Sequence, residues 1–188
     1  KHAMDVVLGA FVPLASFALF HLVTIFPLSW VVLHGSQPVQ QFLWMQVAGA
    51  ALGAVGIVLS GFIADRIGRR SELMFGAILI AVFSFSAPFL LDAGSRGQDA
   101  YILIGFFILG LTFGQSSGAV SSRFTQYYRY TGAALTSDLA WLVGAAFAPL
   151  VALGLASSFG IIFIGGYLIS GAICTIAALS LTKVLDQQ

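Results

Sequence analysis

Long apolar runs alternate with short polar breaks along this chain, and the runs set its architecture. Six of them are long enough to cross a hydrocarbon core of about 30 Å, which takes around 20 helical residues. The first extends roughly from Val6 to Leu33 and contains Pro13 and Pro27. Each proline removes a backbone donor, so a bend is expected at both. The second run covers about Phe42 to Ala64, the third Leu73 to Leu91 and the fourth Tyr101 to Val120. The fifth goes from Thr131 to Ala156 with Pro149 inside it, and the sixth from Phe159 to Thr182. A tight junction at Ser157 and Ser158 predicts that the last two form an antiparallel hairpin. The expected fold class is an all-α integral membrane protein, a single six-helix bundle over residues 1–188.

Composition agrees with the pattern and narrows the function classes. The chain is 59% hydrophobic and 8% charged, with a mean hydropathy of +1.00. An average soluble domain carries roughly 25% charged residues. A net charge of +1, with the basic residues confined to connections, gives no nucleic-acid-binding face. Cys174 is the single cysteine, so no disulfide closes within the chain, and its apolar surroundings predict a small buried thiol. The opening stretch, KHAMDVVLGAF, has no cleavage site, and its apolar region runs too long for a signal peptide. Basic residues also orient the bundle. Lys1, Arg66, Arg69, Arg70, Arg123, Arg129 and Lys183 fall on one side of a six-span arrangement, and Arg96 falls on the other. That bias puts both termini and the second and fourth connections in the cytoplasm.

The second connection is the most charged stretch. In Gly61 to Arg70, GFIADRIGRR, an apolar run stops abruptly and three arginines follow. Charged side chains cost about 2.5 to 3.5 kcal/mol each at the centre of a spanning helix, so the cluster belongs at the interface. Gly68 permits the reversal. Asp65 and Arg69 have the i, i+4 spacing of a pair if the helix persists that far. Gly61, Asp65, Arg66, Gly68, Arg69 and Arg70 together resemble the Gly-x-x-x-Asp-Arg-x-Gly-Arg-Arg signature that follows the second helix of each six-helix half in the major facilitator superfamily of secondary transporters. The resemblance implies a carrier fold, a multi-pass location in a bacterial inner membrane, and an Asp65 that caps a helix of the opposite half.

The likeness extends further. Gly110 to Leu135, with its Arg129-Tyr130-Thr131-Gly132 run, looks like the fourth-to-fifth helix region in the C-terminal half of metabolite:proton symporters, the branch of shikimate, ketoglutarate, citrate and proline/betaine carriers. The first span is similar to the seventh helix of such carriers. One departure lies before the fifth span. Where that branch reads like Pro-Glu-Leu-Phe-Pro-Thr, this chain has Ser121 to Gln126, so an acidic residue is missing at Ser122 and Arg123 and Arg129 lack an evident partner in the loop. Length is the other. Superfamily members hold substrate between two six-helix halves, and this chain supplies one. It is expected to be a fragment, a split-gene half or a self-pairing half, and its partners are the lipid bilayer, a small organic substrate with protons, and a complementary half or a second copy.

Candidate chemistry resides in polar residues at depth. Asp138 lies about 10 Å inside the fifth span, where a carboxylate must face a cavity, pair or take up a proton. It is the candidate for proton coupling. Near interfacial water is the alternative reading. His21, in the outer half of the first span, could hold a substrate carboxylate or relay a proton, or be a neutral hydrogen-bonded helix residue. Gln46, Gln115, Ser116 and Ser117 are uncharged groups that could line a polar cavity, with Gln46, Gln115 and Ser116 joining His21 as substrate-binding candidates. Trp30 and Trp44 suit the interfacial belt. Glycines at three- and four-residue spacing, Gly49, Gly53 and Gly56 against Gly110, Gly114 and Gly118, mark close helix contacts. No His-Glu-x-x-His, Gly-x-Ser-x-Gly or phosphate-binding loop occurs, so neither an enzyme nor a metal or other cofactor is expected. The expected function is proton-coupled symport of a small organic metabolite, in particular a carboxylate. The rival reading is a non-transporting membrane interaction protein or inactive carrier fragment.

The topology is checked by cysteine accessibility. A Ser95→Cys variant should react with an impermeant thiol reagent only from outside, and Ser71→Cys only from the cytoplasm. Labelling of position 95 from the cytoplasm alone would overturn the six-span arrangement.

Overall fold

A computed structural model describes residues 2–34, 37–121, 124 and 126–181, and helix is the regular structure among them. Among the described residues, nine α-helices build six apolar spans: Val6–His34, Val39–Ile67, Arg69–Asp92, Gly94–Ser116, Arg129–Phe159 and Ile162–Leu181. Four spans each lie within a single helix. These are α4 (Val39–Ile67), α5 (Arg69–Asp92), α6 (Gly94–Ser121) and α9 (Ile162–Leu181).

The first span is three helices, α1 (His2–Phe11), α2 (Leu14–Thr24) and α3 (Phe26–His34). Pro13 makes the first break, as its missing N–H requires. The second break falls at Ile25, two residues before Pro27 rather than at it. Pro27 cannot donate to the Val23 carbonyl, and the backbone turns just ahead of it. In hydrocarbon the freed carbonyls must find other donors, each unsatisfied group costing several kcal/mol. Side chains from other spans supply them. The Tyr101 hydroxyl donates to the Leu22 oxygen at 2.8 Å, and Gln46 Nε2 donates to the Thr24 oxygen at 2.7 Å and the Val23 oxygen at 3.4 Å. At the first break Thr175 serves both directions: its Oγ1 accepts from the Ala15 N–H at 3.0 Å and donates to the Phe11 oxygen at 3.1 Å.

The fifth span is broken too, though not as its proline suggests. Helix α7 (Arg129–Trp141) runs into a π-helical turn, Leu142–Ala146, and α8 (Ala148–Phe159) follows. Pro149 sits in the first turn of α8, where a helix has no need of its N–H. The wide turn takes up the bend, and the Tyr167 hydroxyl meets the Gly144 oxygen at 3.4 Å. Ser157 and Ser158 remain inside α8; the hairpin turns at Gly160, whose φ is 96°.

Helix α2 lies at the centre. Leu19, Leu22 and Val23 are wholly enclosed, packed with Ile80 and Phe83 of α5, Tyr101 and Ile102 of α6 and Ile164 and Leu168 of α9. Helices α4 and α6 pack most extensively, and they do so backbone to backbone. Gly110 abuts the Gly53 carbonyl, and a Cβ on Gly56 would lie 2.7 Å from the Phe107 oxygen. Apart from this stripe, Phe42 and Ser60, α4 leaves its face uncovered, with Trp44, Val47, Val58 and Phe62 all exposed.

The glycines separate packing from signature. Gly110→Ala should destabilise the bundle by about 1–3 kcal/mol through overpacking against a backbone that cannot yield. Gly61, with open space where its Cβ would be, should accept alanine within about 0.5 kcal/mol. Thermal unfolding of the two variants in one detergent checks both; equal losses would refute the distinction.

Candidate functional site

The signature adopts a defined shape. Helix α4 ends at Ile67, Gly68 alone links it to α5, and its φ of 85° explains why glycine stands there. Because the helix stops, the i, i+4 pairing of Asp65 with Arg69 does not form. Asp65 and Arg66 are exposed, while Arg69 turns inward and donates from Nε to Gln115 Oε1 at 3.3 Å. Gln115 Nε2 in turn faces Ser60 Oγ at 3.4 Å, so one amide ties α5 and α4 to α6. Arg70 is half-buried, near Met74 and Phe75 of its own helix. Ser116 is buried, and its hydroxyl donates to the Thr112 oxygen at 2.9 Å. Ser122 and Arg123 lie outside the described residues, as does the Ser117 side chain. Arg129, at the start of α7, is exposed and borders a cleft of about 670 Å³ with Gln126, Tyr130 and Ser137.

His21 lies in a different place. It is half-buried on α2, its Nδ1 is enclosed without a hydrogen-bond partner, and its ring stands 5.2 Å from Phe20 and 5.9 Å, edge-on, from Trp141. Trp141 organises this region. Phe17 stacks on it at 4.5 Å, and Phe20 and Phe113 meet it edge-on at 5.4 and 6.4 Å. Such rings contribute about 0.5–1.5 kcal/mol per pair beyond their buried area. Beside the cluster, an apolar groove of about 220 Å³ runs between α4 and α6, lined in part by Phe20, Ala54, Ile57 and Phe113. Asp138 precedes Trp141 by three residues on the same helical face and is exposed.

The sequence-predicted residues therefore divide. Gln115 and Ser116 stand with the signature, whereas His21 and Asp138 flank Trp141. Gln46 joins neither group, since its amide nitrogen is committed to the break between α2 and α3. Trp44 is 69% exposed, as an interfacial or lipid-facing residue would be; Trp30 stacks on His34 at 3.7 Å. Sequence reasoning missed Trp141. Its depth was the available signal: twelve residues beyond Arg129 place it about 18 Å into the span, too deep for an interfacial belt.

No family model matches the chain. A putative metabolite transport protein of Haemophilus influenzae is 32% identical over 97% of the chain and 44% of its own length. The inner membrane metabolite transport protein YhjE of Escherichia coli is 31% identical over 100% of the chain and 44% of its own length. The chain belongs to the major facilitator superfamily. This facilitator chain spans somewhat under half the length of these relatives, as one six-helix half would. A third relative, the cis,cis-muconate transport protein of Acinetobacter baylyi, is 33% identical over 63% of the facilitator chain and 27% of its own length. Inner-membrane placement agrees with the six apolar spans.

Proposed function

We propose that this chain is one half of a proton-coupled symporter for a small organic carboxylate, acting with a complementary six-helix half or a second copy of itself. The observation that carries the reading is the arrangement at Trp141. A half-buried histidine and an exposed carboxylate flank one aromatic wall, beside an apolar groove. A carboxylate substrate needs a hydrogen-bond donor or cation, and His21 is a titratable side chain that can donate there. The planar rings suit an unsaturated carbon skeleton. The name of the muconate carrier, whose substrate is a planar dicarboxylate, supports that chemistry. Asp138 is the candidate coupling residue. Exposed at the surface of this half, it could take a proton from one side and release it after the path reopens to the other.

Both residues are tested in the assembled carrier, with cis,cis-muconate and shikimate as probe substrates. Asp138→Asn should abolish accumulation driven by a pH gradient while leaving substrate exchange largely intact, because Asn keeps size and hydrogen bonding but releases no proton. Unchanged pH-driven accumulation removes the coupling role, and loss of both activities points to folding or binding.

His21→Ala should raise the KM for a carboxylate probe about 10- to 100-fold, corresponding to about 1.5–3 kcal/mol for a hydrogen bond to a charged group. Unaltered KM with intact transport would place the substrate elsewhere. A carrier that moves no organic acid in any form would favour a non-transporting interaction protein.

A further inference from the structure

Glu72 stands four residues after the linking Gly68, and its nearness to the arginines suggests an interfacial residue. It is instead enclosed. Only 1% of its surface is exposed, and Oε2 has no hydrogen-bond partner. Its position follows from the helical phase of α5. Gly76, one turn on, packs against Thr112 of α6, while the adjacent Leu73 clusters with Val12, Ala119 of α6 and Ala178 and Leu179 of α9. The carboxyl group therefore lies in the seam where α5, α6 and α9 meet at the signature end.

The surroundings offer it little. On α6 the hydroxyls of Thr112 and Ser116 donate to backbone oxygens of their own helix, and no titratable residue occurs from Gly110 to Ser121. On α9 the titratable groups are Tyr167, bonded at Gly144, and Cys174; Thr175 is committed to the α1–α2 break. His2 and Asp5 are the titratable residues of α1. Asp65 and Arg66 of α4 are exposed beyond Gly68, and Arg69 of α5 is bonded to Gln115. Arg70 is half-buried on α5, and no ion pair engages Glu72 among the described residues. An unpaired carboxylate enclosed in this way is less stable than a neutral acid with one unmet oxygen. A second half cannot relieve it, because the seam is internal to this bundle.

We propose that Glu72 is a proton-binding residue that keeps its carboxyl proton while α5, α6 and α9 are packed and releases it when the seam opens to water at the signature end. In that step the O–H bond breaks, water takes the proton as hydronium, and the carboxylate is left in a hydrated cleft. Arg69, three residues earlier on the same helix, is then placed to pair with it after leaving Gln115. This proton site is separate from Asp138 and stands or falls without it.

Infrared spectroscopy of the carrier in lipid vesicles tests the inference. At neutral pH the wild type should show a protonated-carboxyl stretch that is lost in Glu72→Gln and retained in Asp138→Asn. Gln matches the neutral acid in shape, so the variant should keep its thermal unfolding midpoint. If Glu72→Gln instead removes a carboxylate band and no protonated-carboxyl band, the proposal is wrong. A second measurement needs no variant. A lipid-soluble carbodiimide, which adds to the protonated acid, should modify the Glu72 peptide of the wild type at neutral pH, and complete recovery of that peptide unmodified would overturn the inference.

Discussion

A backbone carbonyl in hydrocarbon has no water to turn to, and the rest of this bundle follows from how the broken first span meets that constraint. Breaks at Val12–Pro13 and at Ile25 free several carbonyls at the centre of the molecule. Thr175, Tyr101 and Gln46, drawn from three other spans, supply the hydrogen bonds. Each is a long-range contact made by a side chain whose hydrogen-bonding groups would otherwise be costly at that depth. The breaks thus do two things at once. They let α2 lie buried at the bundle axis, and they fix which spans surround it.

The same constraint decides which polar residues remain free for chemistry. Gln46 looked like a cavity-lining group, but its amide nitrogen answers the Pro27 break. Gln115 looked like another, and its two polar ends hold Arg69 and Ser60. His21 is half-buried against Trp141, and Asp138 is exposed. Polar character at membrane depth is therefore an incomplete guide; what matters is whether a proline, a glycine or a helix end nearby has already claimed the group.

Much of the fold was legible in the sequence because its causes are local. Six hydropathic runs, the break at Pro13, the turn at Gly68 and the glycine stripes of α4 and α6 each follow from residues within a few positions of one another. Pro149 marks no bend of its own, because a proline in a first turn costs nothing, and the π turn lies just before it. Trp141 escaped notice since its partners Phe17, Phe20 and His21 lie some 120 positions earlier and no local rule joins them. Glu72 was legible in principle. It shares a stripe with Gly76 and Ile80, both buried, but its charge and its closeness to Arg69 and Arg70 outweighed that phase.

Energetics rank the interhelical contacts and so suggest which can part. The α4–α6 seam is made of backbone against backbone through Gly53, Gly56 and Gly110, where sliding by even a fraction of a turn would drive side chains into carbonyls. Helix α5 also packs closely on α6, with Gly76 against Thr112, but its polar link to α4 and α6 at the signature end runs through Arg69, Gln115 and Ser60, at 3.3 and 3.4 Å, each contact worth on the order of 1 kcal/mol net for neutral partners and somewhat more for the arginine. Opening at one end without unfolding, as the proposed symport requires, needs that asymmetry. Close-packed glycines hold one pair of helices as a unit, and a few long side-chain hydrogen bonds at the signature end can be exchanged for water or for a new partner. The signature arginines are suited to this task because guanidinium groups keep their charge in every state of the seam and lose little on passing from an amide to a carboxylate or to solvent.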